Sequence, residues 1–301
     1  ETLEDVRSPI FILLYRLIFV LYAESRNIFE IDNSTYNQKF SLEWIKKNWI
    51  LNSKLVSKLP EYDIQNRIKN LFHLIEVGSD VLELSTKEFS MISYYGRLFD
   101  RDIHKELEKW KIPNKQFLDA ISFITRTKDK NRNYFFLDYS ALKTRHLGSI
   151  YEHLLEFHLT VKNNKISELP NPEERVTSAS YYTPDYIVDH IVSNSIEPLI
   201  IEIIDKNSDP NIQIEKILEL KILDPAMGSG HFLIGAVNYI AKRLCEIKYN
   251  ELKEDKILEL KREVVRKCIF GTDLNPLAVE LASVALWLET LSHDKPLSFL
   301  Q

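Results

Sequence analysis

The sequence predicts a mainly helical protein with a partial α/β region in its C-terminal half. Only 7 glycines occur in 301 residues, Leu, Ile, Lys and Glu are abundant, and few segments alternate as half-buried strands do. Two short apolar runs, near 219–224 and 268–273, each end in an aspartate, and each is followed by a helical pattern. A right-handed crossover would join them as a parallel pair.

Helical patterns at about 230–248, 253–267 and 276–292 surround these strands. We expect a helical N-terminal domain, residues 1–165, and a second domain, residues 166–301, with a linker through Leu169-Pro170-Asn171-Pro172. The first apolar run lies within Leu14–Arg26. Arg16 interrupts it and it is shorter than the ~20 residues of a membrane span, so it predicts a buried core helix.

Composition favours a cytoplasmic protein without a membrane segment. The chain begins with Glu and no signal peptide is visible, which suggests a piece of a longer protein. Cys245 and Cys268 lack metal-ligand spacing and are interpreted as buried thiols, so we expect no metal. The net charge of −5 does not indicate a DNA-binding surface. The basic stretch Arg126–Arg132, with Lys143 and Arg145, is a solvated loop or a set of phosphate contacts.

The run Asp224-Pro225-Ala226-Met227-Gly228-Ser229-Gly230-His231-Phe232 is the most informative segment. A strand, a glycine loop and a helix N-terminus bring backbone N–H groups close to a ligand. Leu233 stands where the dinucleotide fingerprint needs a third small residue, and the Gly-Lys-Ser/Thr of a P-loop is missing. Asp273, at the end of the second strand, can accept bonds from both hydroxyls of a ribose. Together they predict a nucleoside-binding site.

A third element is Tyr181-Tyr182-Thr183-Pro184-Asp185. Thr183 is predicted to cap a helix, with Pro184 in the first helical position and Asp185 in the first turn. An ordinary helix cap would explain these residues if they are taken alone. Its position ahead of the glycine loop favours a functional interpretation.

These elements resemble motifs X, I and II of gamma-type DNA adenine-N6 methyltransferases from type IIG restriction–modification and phage-defence methylases. Leu14–Arg26 resembles a helix of the same proteins, and Asp138–Ser140 with Leu147–Leu155 resembles the segment that precedes their motif X. The resemblance implies a Rossmann-like domain with a truncated sheet, S-adenosylmethionine as cofactor and double-stranded DNA as partner of the parent protein. The cofactor-binding residues that it implies are Tyr182, Thr183, Pro184, Asp224, Ala226, Met227, Gly228, Ser229, Gly230, Phe232, Asp273 and Leu274.

In that family Asp224 would meet the methionine ammonium group, and the glycines would let the backbone approach the cofactor. Asp273 would bind the ribose and Leu274 would pack on the adenine face, while motif X would cover the carboxylate end. Asp224 suits an ammonium partner because charge-assisted hydrogen bonds contribute ~1.5–3 kcal/mol each.

The catalytic Asn/Asp/Ser-Pro-Pro-Tyr/Phe motif of these enzymes is absent from the sequence. Asn171-Pro172-Glu173 lacks the second proline and the aromatic residue. We therefore assign no catalytic residue, expect the motif after position 301, and expect this fragment to bind cofactor without transferring methyl groups. Strings resembling a nuclease site, such as Asp209 with Glu219-Leu220-Lys221, are rejected because Lys221 leads into the strand that carries Asp224.

Two alternatives stay open. A methyltransferase acting on RNA or protein uses similar motifs, and a non-catalytic cofactor-binding or interaction module could keep the same fold. Intact Asp224, Gly228, Gly230 and Asp273 argue against a vestigial site.

Overall fold

The computed structural model describes residues 3–29, 33–85, 89–94, 97–142, 146–148, 150, 157–162, 165–170 and 183–291. Residues 9–142 and residues 143–290 form the main parts of two compact units. The domain boundary expected near residue 165 stays a prediction. Tyr182, the linker residues Asn171 and Pro172, the cations Lys143 and Arg145, and most of 147–155 lie outside the described residues.

The first unit is built from helices. They are α1 (Leu3–Ser25), α2 (Ser34–Lys39), α3 (Leu42–Ile45), α4 (Asp63–Val81), α5 (Lys105–Lys109) and α6 (Asn114–Thr125), with a π-helical turn at Lys46–Ile50 and 3₁₀ helices at Ser53–Lys58 and Tyr139–Ala141. A two-stranded antiparallel hairpin, β1 (Arg126–Lys128) and β2 (Tyr134–Phe136), follows α6 directly. The basic stretch predicted as a loop therefore begins as a strand, although Lys128 to Arg132 are exposed as expected.

Helix α1 is long and apolar enough, over Val6–Ser25, to cross a membrane by length and composition. Most of that window is buried inside the protein, which confirms the predicted core helix. Arg16 is only 1 % exposed. Its Nε donates to the carbonyl of Leu98 at 2.7 Å, and its guanidinium lies over the rings of Phe72 and Phe99. These contacts compensate the charge that interrupts the apolar run.

The second unit contains the predicted strand pair. Its elements are β3 (Phe157–Lys162), β4 (Lys165–Pro170), α7 (Asp185–Lys206), α8 (Pro210–Leu218), β5 (Ile222–Asp224), α9 (His231–Tyr249), α10 (Glu254–Cys268), β6 (Ile269–Gly271) and α11 (Pro276–Thr290). Strands β5 and β6 are parallel, as predicted, and three residues long. The hairpin β3–β4 was not predicted, and its second strand includes Leu169 and Pro170 of the expected linker. The chain is thus mostly helical with small sheets, and its Rossmann-like character stays a prediction.

Helices α7, α9, α10 and α11 supply the core of the second unit. Helix α10 is amphipathic, with acids in its first turn and bases in its last, so each end suits the helix dipole. Gly235 of α9 lets α7 come close, since an added Cβ would lie 2.8 Å from Val188 Cγ1. This packing holds α9, and therefore the glycine loop before it, in place.

The predicted start of α7 is wrong by one residue. Pro184 is extended (φ −54°, ψ 142°), and its carbonyl accepts bonds from the N–H groups of Ile187 and Val188 at 2.9 and 3.2 Å. A residue in that state is the N-cap. Thr183 therefore lies one position outside the helix, whereas Asp185 is in the first turn as predicted.

Candidate cofactor-binding site

The site begins where strands β5 and β6 end side by side. Asp224 pairs with Gly271 in the parallel register. Beyond the strands, the N–H of Thr272 donates to the carbonyl of Asp224, and the N–H of Met227 donates to the carbonyl of Thr272, both at 3.0 Å. The two loops that follow the strands are therefore held together by backbone hydrogen bonds.

Asp273 joins these loops through its side chain. One carboxylate oxygen, Oδ2, accepts from the N–H of Gly228 at 2.9 Å, and Oδ1 accepts from the N–H of Asn275 at 2.8 Å. A carboxylate has about four lone-pair sites, so these two bonds leave acceptor capacity for hydroxyl groups. The acid predicted from motif II and the glycine predicted from motif I are thus in direct contact.

Asp224 precedes the first of these two loops. It is half-buried at the last position of β5, and its Oδ1 accepts from the N–H of Ala226 at 3.1 Å. This bond turns the chain sharply after the strand and leaves Pro225 and Ala226 exposed. Asp224 and Asp273 each end up at the carboxyl end of a parallel strand, where ligands bind in open α/β sheets.

Both glycines of the loop adopt the left-handed backbone conformation. Their φ angles are +53° at Gly228 and +79° at Gly230. At Gly230 an added Cβ would lie 3.1 Å from the Cβ of Ala282, so this glycine also lets α11 approach the start of α9. At Gly228 an added Cβ would come within 4 Å of no described atom. Gly230 therefore serves packing, while Gly228 leaves its backbone open to approach.

The remaining predicted residues lie around this loop. Met227 and Ser229 are half-buried, and Phe232 is half-buried in the first turn of α9. Leu274, which directly follows Asp273, is fully exposed at 103 %. Its side chain is therefore accessible to a ligand, and its packing on an adenine ring stays a prediction.

The start of α7 lies against the same loop. The Oδ1 of Asp185 is 3.2 Å from the Nε2 of His231, the first residue of α9. Thr183 is half-buried and Pro184 is exposed at this end of α7. The structure thus brings the described part of the motif X segment to the helix that begins after Gly230.

Three contributions were not predicted from the sequence. Gly271 allows Met227 and Leu233 to pack on β6, since a Cβ there would lie 2.7 Å from Leu233 Cδ1 and closer still to Met227 Sδ. Asn275 caps α11 by accepting from the N–H of Leu277 at 3.0 Å. The pair Asp185–His231 is the third. Of these, only Asn275, just before Pro276, carries a signal that sequence rules recognise.

The arrangement brings the described residues that are predicted to bind a nucleoside cofactor to the ends of two parallel strands. Comparison with known proteins gives its class. Residues 202–298 match the family model described as MmeI, DNA-methyltransferase domain. This segment contains both loops of the site, and the match confirms the resemblance that the motifs indicated.

Relatives extend the likeness beyond this segment. A putative type II restriction enzyme and methyltransferase of Methanocaldococcus jannaschii is 26 % identical over 96 % of the chain, and the type II restriction enzyme and methyltransferase RM.Eco57I of Escherichia coli is 24 % identical over 81 %. The adenine-specific methyltransferase PglX of Streptomyces coelicolor is 26 % identical over 50 %. The chain spans only 25 % and 27 % of the length of the first two.

A solved structure shows that the fold is shared. The type IIL restriction-modification enzyme MmeI, determined in complex with DNA, superposes with a TM-score of 0.55 over 95 % of this chain and 34 % of its own. The sequence identity is 18 %, so this likeness concerns the fold.

Proposed function

We propose that this chain is the S-adenosylmethionine-binding portion of a DNA methyltransferase that modifies the exocyclic N6 amine of adenine in a restriction–modification or phage-defence system. The contact between the Asp273 carboxylate and the N–H of Gly228 carries the proposal. It places the expected ribose acceptor against the loop whose open glycine is expected to face the cofactor.

The predicted residues fit the polar and aromatic groups of S-adenosylmethionine. Asp224 would accept from its ammonium group, Asp273 from its ribose hydroxyls, and Leu274 would cover its adenine ring. Thr183 and Pro184, with Tyr182 beside them, would lie at its carboxylate end. When bound, the cofactor supplies an activated methyl group, and the chain supplies proximity and orientation.

Double-stranded DNA is the proposed partner of the whole protein, which we place in the cytoplasm. The names of the relatives and the DNA complex of MmeI support this choice over RNA or protein acceptors. We assign no residue of this chain to the transfer step itself, because the Asn/Asp/Ser-Pro-Pro-Tyr/Phe motif is absent from its sequence. Cofactor binding is therefore the activity proposed for the chain alone.

Calorimetric titration with S-adenosylmethionine tests the proposal. The informative variant is Leu274→Ser, because a fully exposed side chain can be truncated without loss of packing. Leu252→Ser, which changes another exposed leucine of the same unit, is the matched control. We expect the parent chain and the control to bind alike. We expect Leu274→Ser to bind roughly 10-fold more weakly, as loss of most of one buried leucine contact predicts.

Two results would contradict the proposal. Equal affinity in both variants would remove Leu274 from the cofactor site. Absence of binding by the parent chain, with its melting temperature unchanged by cofactor, would favour the non-catalytic interaction module instead.

A further inference from the structure

The hairpin β1–β2 of the first unit carries a dense positive charge on an otherwise acidic protein. Residues 126–136 contain the cations Arg126, Lys128, Lys130 and Arg132 and one acid, Asp129, whereas the whole chain has a net charge of −5. Asp129 is used within the turn, where its Oδ1 accepts from the N–H of Asn133 at 2.8 Å and its Oδ2 from Asn133 Nδ2. The cations at the tip therefore face solvent with little internal compensation.

Exposed aromatic rings accompany these cations. In the antiparallel register Lys128 pairs with Tyr134, and Thr127 pairs with Phe135. Tyr134 is 60 % exposed and Phe135 is 49 % exposed, so neither ring belongs to the core. The charged ends of Arg126 and Lys128 both lie 4.8 Å from the centre of the Tyr134 ring. One face of the hairpin is thus a ring flanked by two cations.

The base of the hairpin is fixed to the helical unit. Strand β1 continues directly from α6, and the N–H of Leu137 donates to the carbonyl of Thr125 at 2.8 Å. Lys46, itself nearly buried, lies 5.0 Å from the centre of the Phe136 ring. The hairpin therefore projects its basic turn from an anchored base, in contrast to a freely solvated loop.

We propose that this hairpin is a docking element for the phosphate backbone of double-stranded DNA. A two-stranded β-ribbon fits the major groove, and Lys and Arg side chains along it can neutralise phosphates without reading sequence. The positive charge selects a polyanion. The choice of DNA among polyanions rests on the proposed function.

Fluorescence anisotropy with a labelled duplex of mixed sequence tests this proposal on the full chain. The test variant is the triple substitution Lys128→Gln, Lys130→Gln and Arg132→Gln. The control triple is Lys54→Gln, Lys58→Gln and Lys115→Gln, which changes three exposed lysines of the same unit and the net charge by the same amount. We expect the hairpin variant to bind duplex at least ~10-fold more weakly and its salt slope to fall by about 2 to 3, one per lost contact. The control should keep the parent values.

Equal losses in both triples, or no loss in the hairpin variant, would overturn the proposal. Binding of the parent chain to anionic phosphatidylserine vesicles and not to duplex would overturn it in favour of a membrane surface. Titration of S-adenosylmethionine with the same hairpin variant separates the two proposals. If the hairpin variant keeps its cofactor affinity and loses its duplex affinity, the hairpin proposal is supported. If the parent chain binds no cofactor and the variant still loses duplex affinity, the hairpin proposal is supported and the cofactor site is ruled out.

Discussion

The two glycines of the loop at 228–230 should respond differently to substitution by alanine. Both have φ in the left-handed region, where an L side chain costs about 1–2 kcal/mol. At Gly230 the new Cβ would also lie 3.1 Å from Ala282 Cβ and 3.3 Å from Ala282 Cα. These atoms belong to the backbone and the short side chain of a buried helix, so overpacking adds roughly 1–2 kcal/mol.

We therefore expect Gly230→Ala to lower the free energy of unfolding of the second unit by about 2–4 kcal/mol and Gly228→Ala by about 1–2 kcal/mol. Because the chain has two compact units, a single global transition is not a safe measure. Hydrogen exchange of peptides from α9 and α11 in increasing urea reports the second unit alone. Gly228→Ala should instead reduce affinity for S-adenosylmethionine, since its Cβ would stand where the backbone is open.

Equal destabilisation by the two substitutions would refute this reasoning, because it would mean that the contact with Ala282 has no energetic weight. So would a Gly228→Ala variant that binds cofactor as the parent chain does. The first result would count against the packing described for Gly230, and the second against the assignment of Gly228 to the cofactor.

Three further predictions concern burial. Burial raises the pKa of Glu24 from 4.5 to about 7 although Tyr36 and the N–H groups of Leu42 and Glu43 donate to it. The folded-state pKa exceeds the unfolded value, so this stabilisation is complete below pH 4.5 and is lost as the pH rises through 7. Urea unfolding should show the parent losing up to about 3 kcal/mol of stability relative to Glu24→Gln as the pH rises across that window. A parent that gains stability relative to Glu24→Gln with rising pH would contradict the raised pKa. Arg16→Met should destabilise the first unit by about 1–3 kcal/mol, measured by its unfolding midpoint, because the buried Leu98 carbonyl loses its donor; an unchanged midpoint would show that the hydrogen bond has no net value. Gly235→Ala should destabilise by about 1–2 kcal/mol, and Val188→Ala should suppress this effect in a double-mutant cycle, while additive effects would dissociate the two positions.

Sequence patterns located the strand pair β5–β6 and the three helices around it well, because local signals determine these elements, whereas β3, β4 and α8 were not predicted. Helices α9, α10 and α11 begin and end within two residues of the predicted positions, since glycine, charge and proline signals bound them. The strands were recognised from an apolar run that ends in an acid. They are shorter than expected because β5 begins only at Ile222, after the C-cap of α8 at Glu219, and because the pairing of β6 stops at Gly271.

Contacts between distant segments could not be predicted in this way. The bond from the Gly228 N–H to Asp273 depends on the parallel register, which no local pattern specifies. The same holds for the Asp185–His231 pair and for the packing of Ala282 on Gly230. The β1–β2 hairpin was not predicted for another reason. A charged, polar segment is predicted as a loop when its cross-strand pairing is unknown.

The proposed function depends most on S-adenosylmethionine binding between the two loops. Hydrogen exchange of the chain with and without saturating cofactor measures this directly, using peptides that cover 224–234 and 271–278. Helices α2 and α3 of the first unit serve as the internal control. We expect slower exchange in both site peptides and no change in the control, and Leu274→Ser should need roughly 10-fold more cofactor to reach the same protection. Unchanged exchange at 224–234 and 271–278, with cofactor bound elsewhere or not at all, would contradict the proposed site.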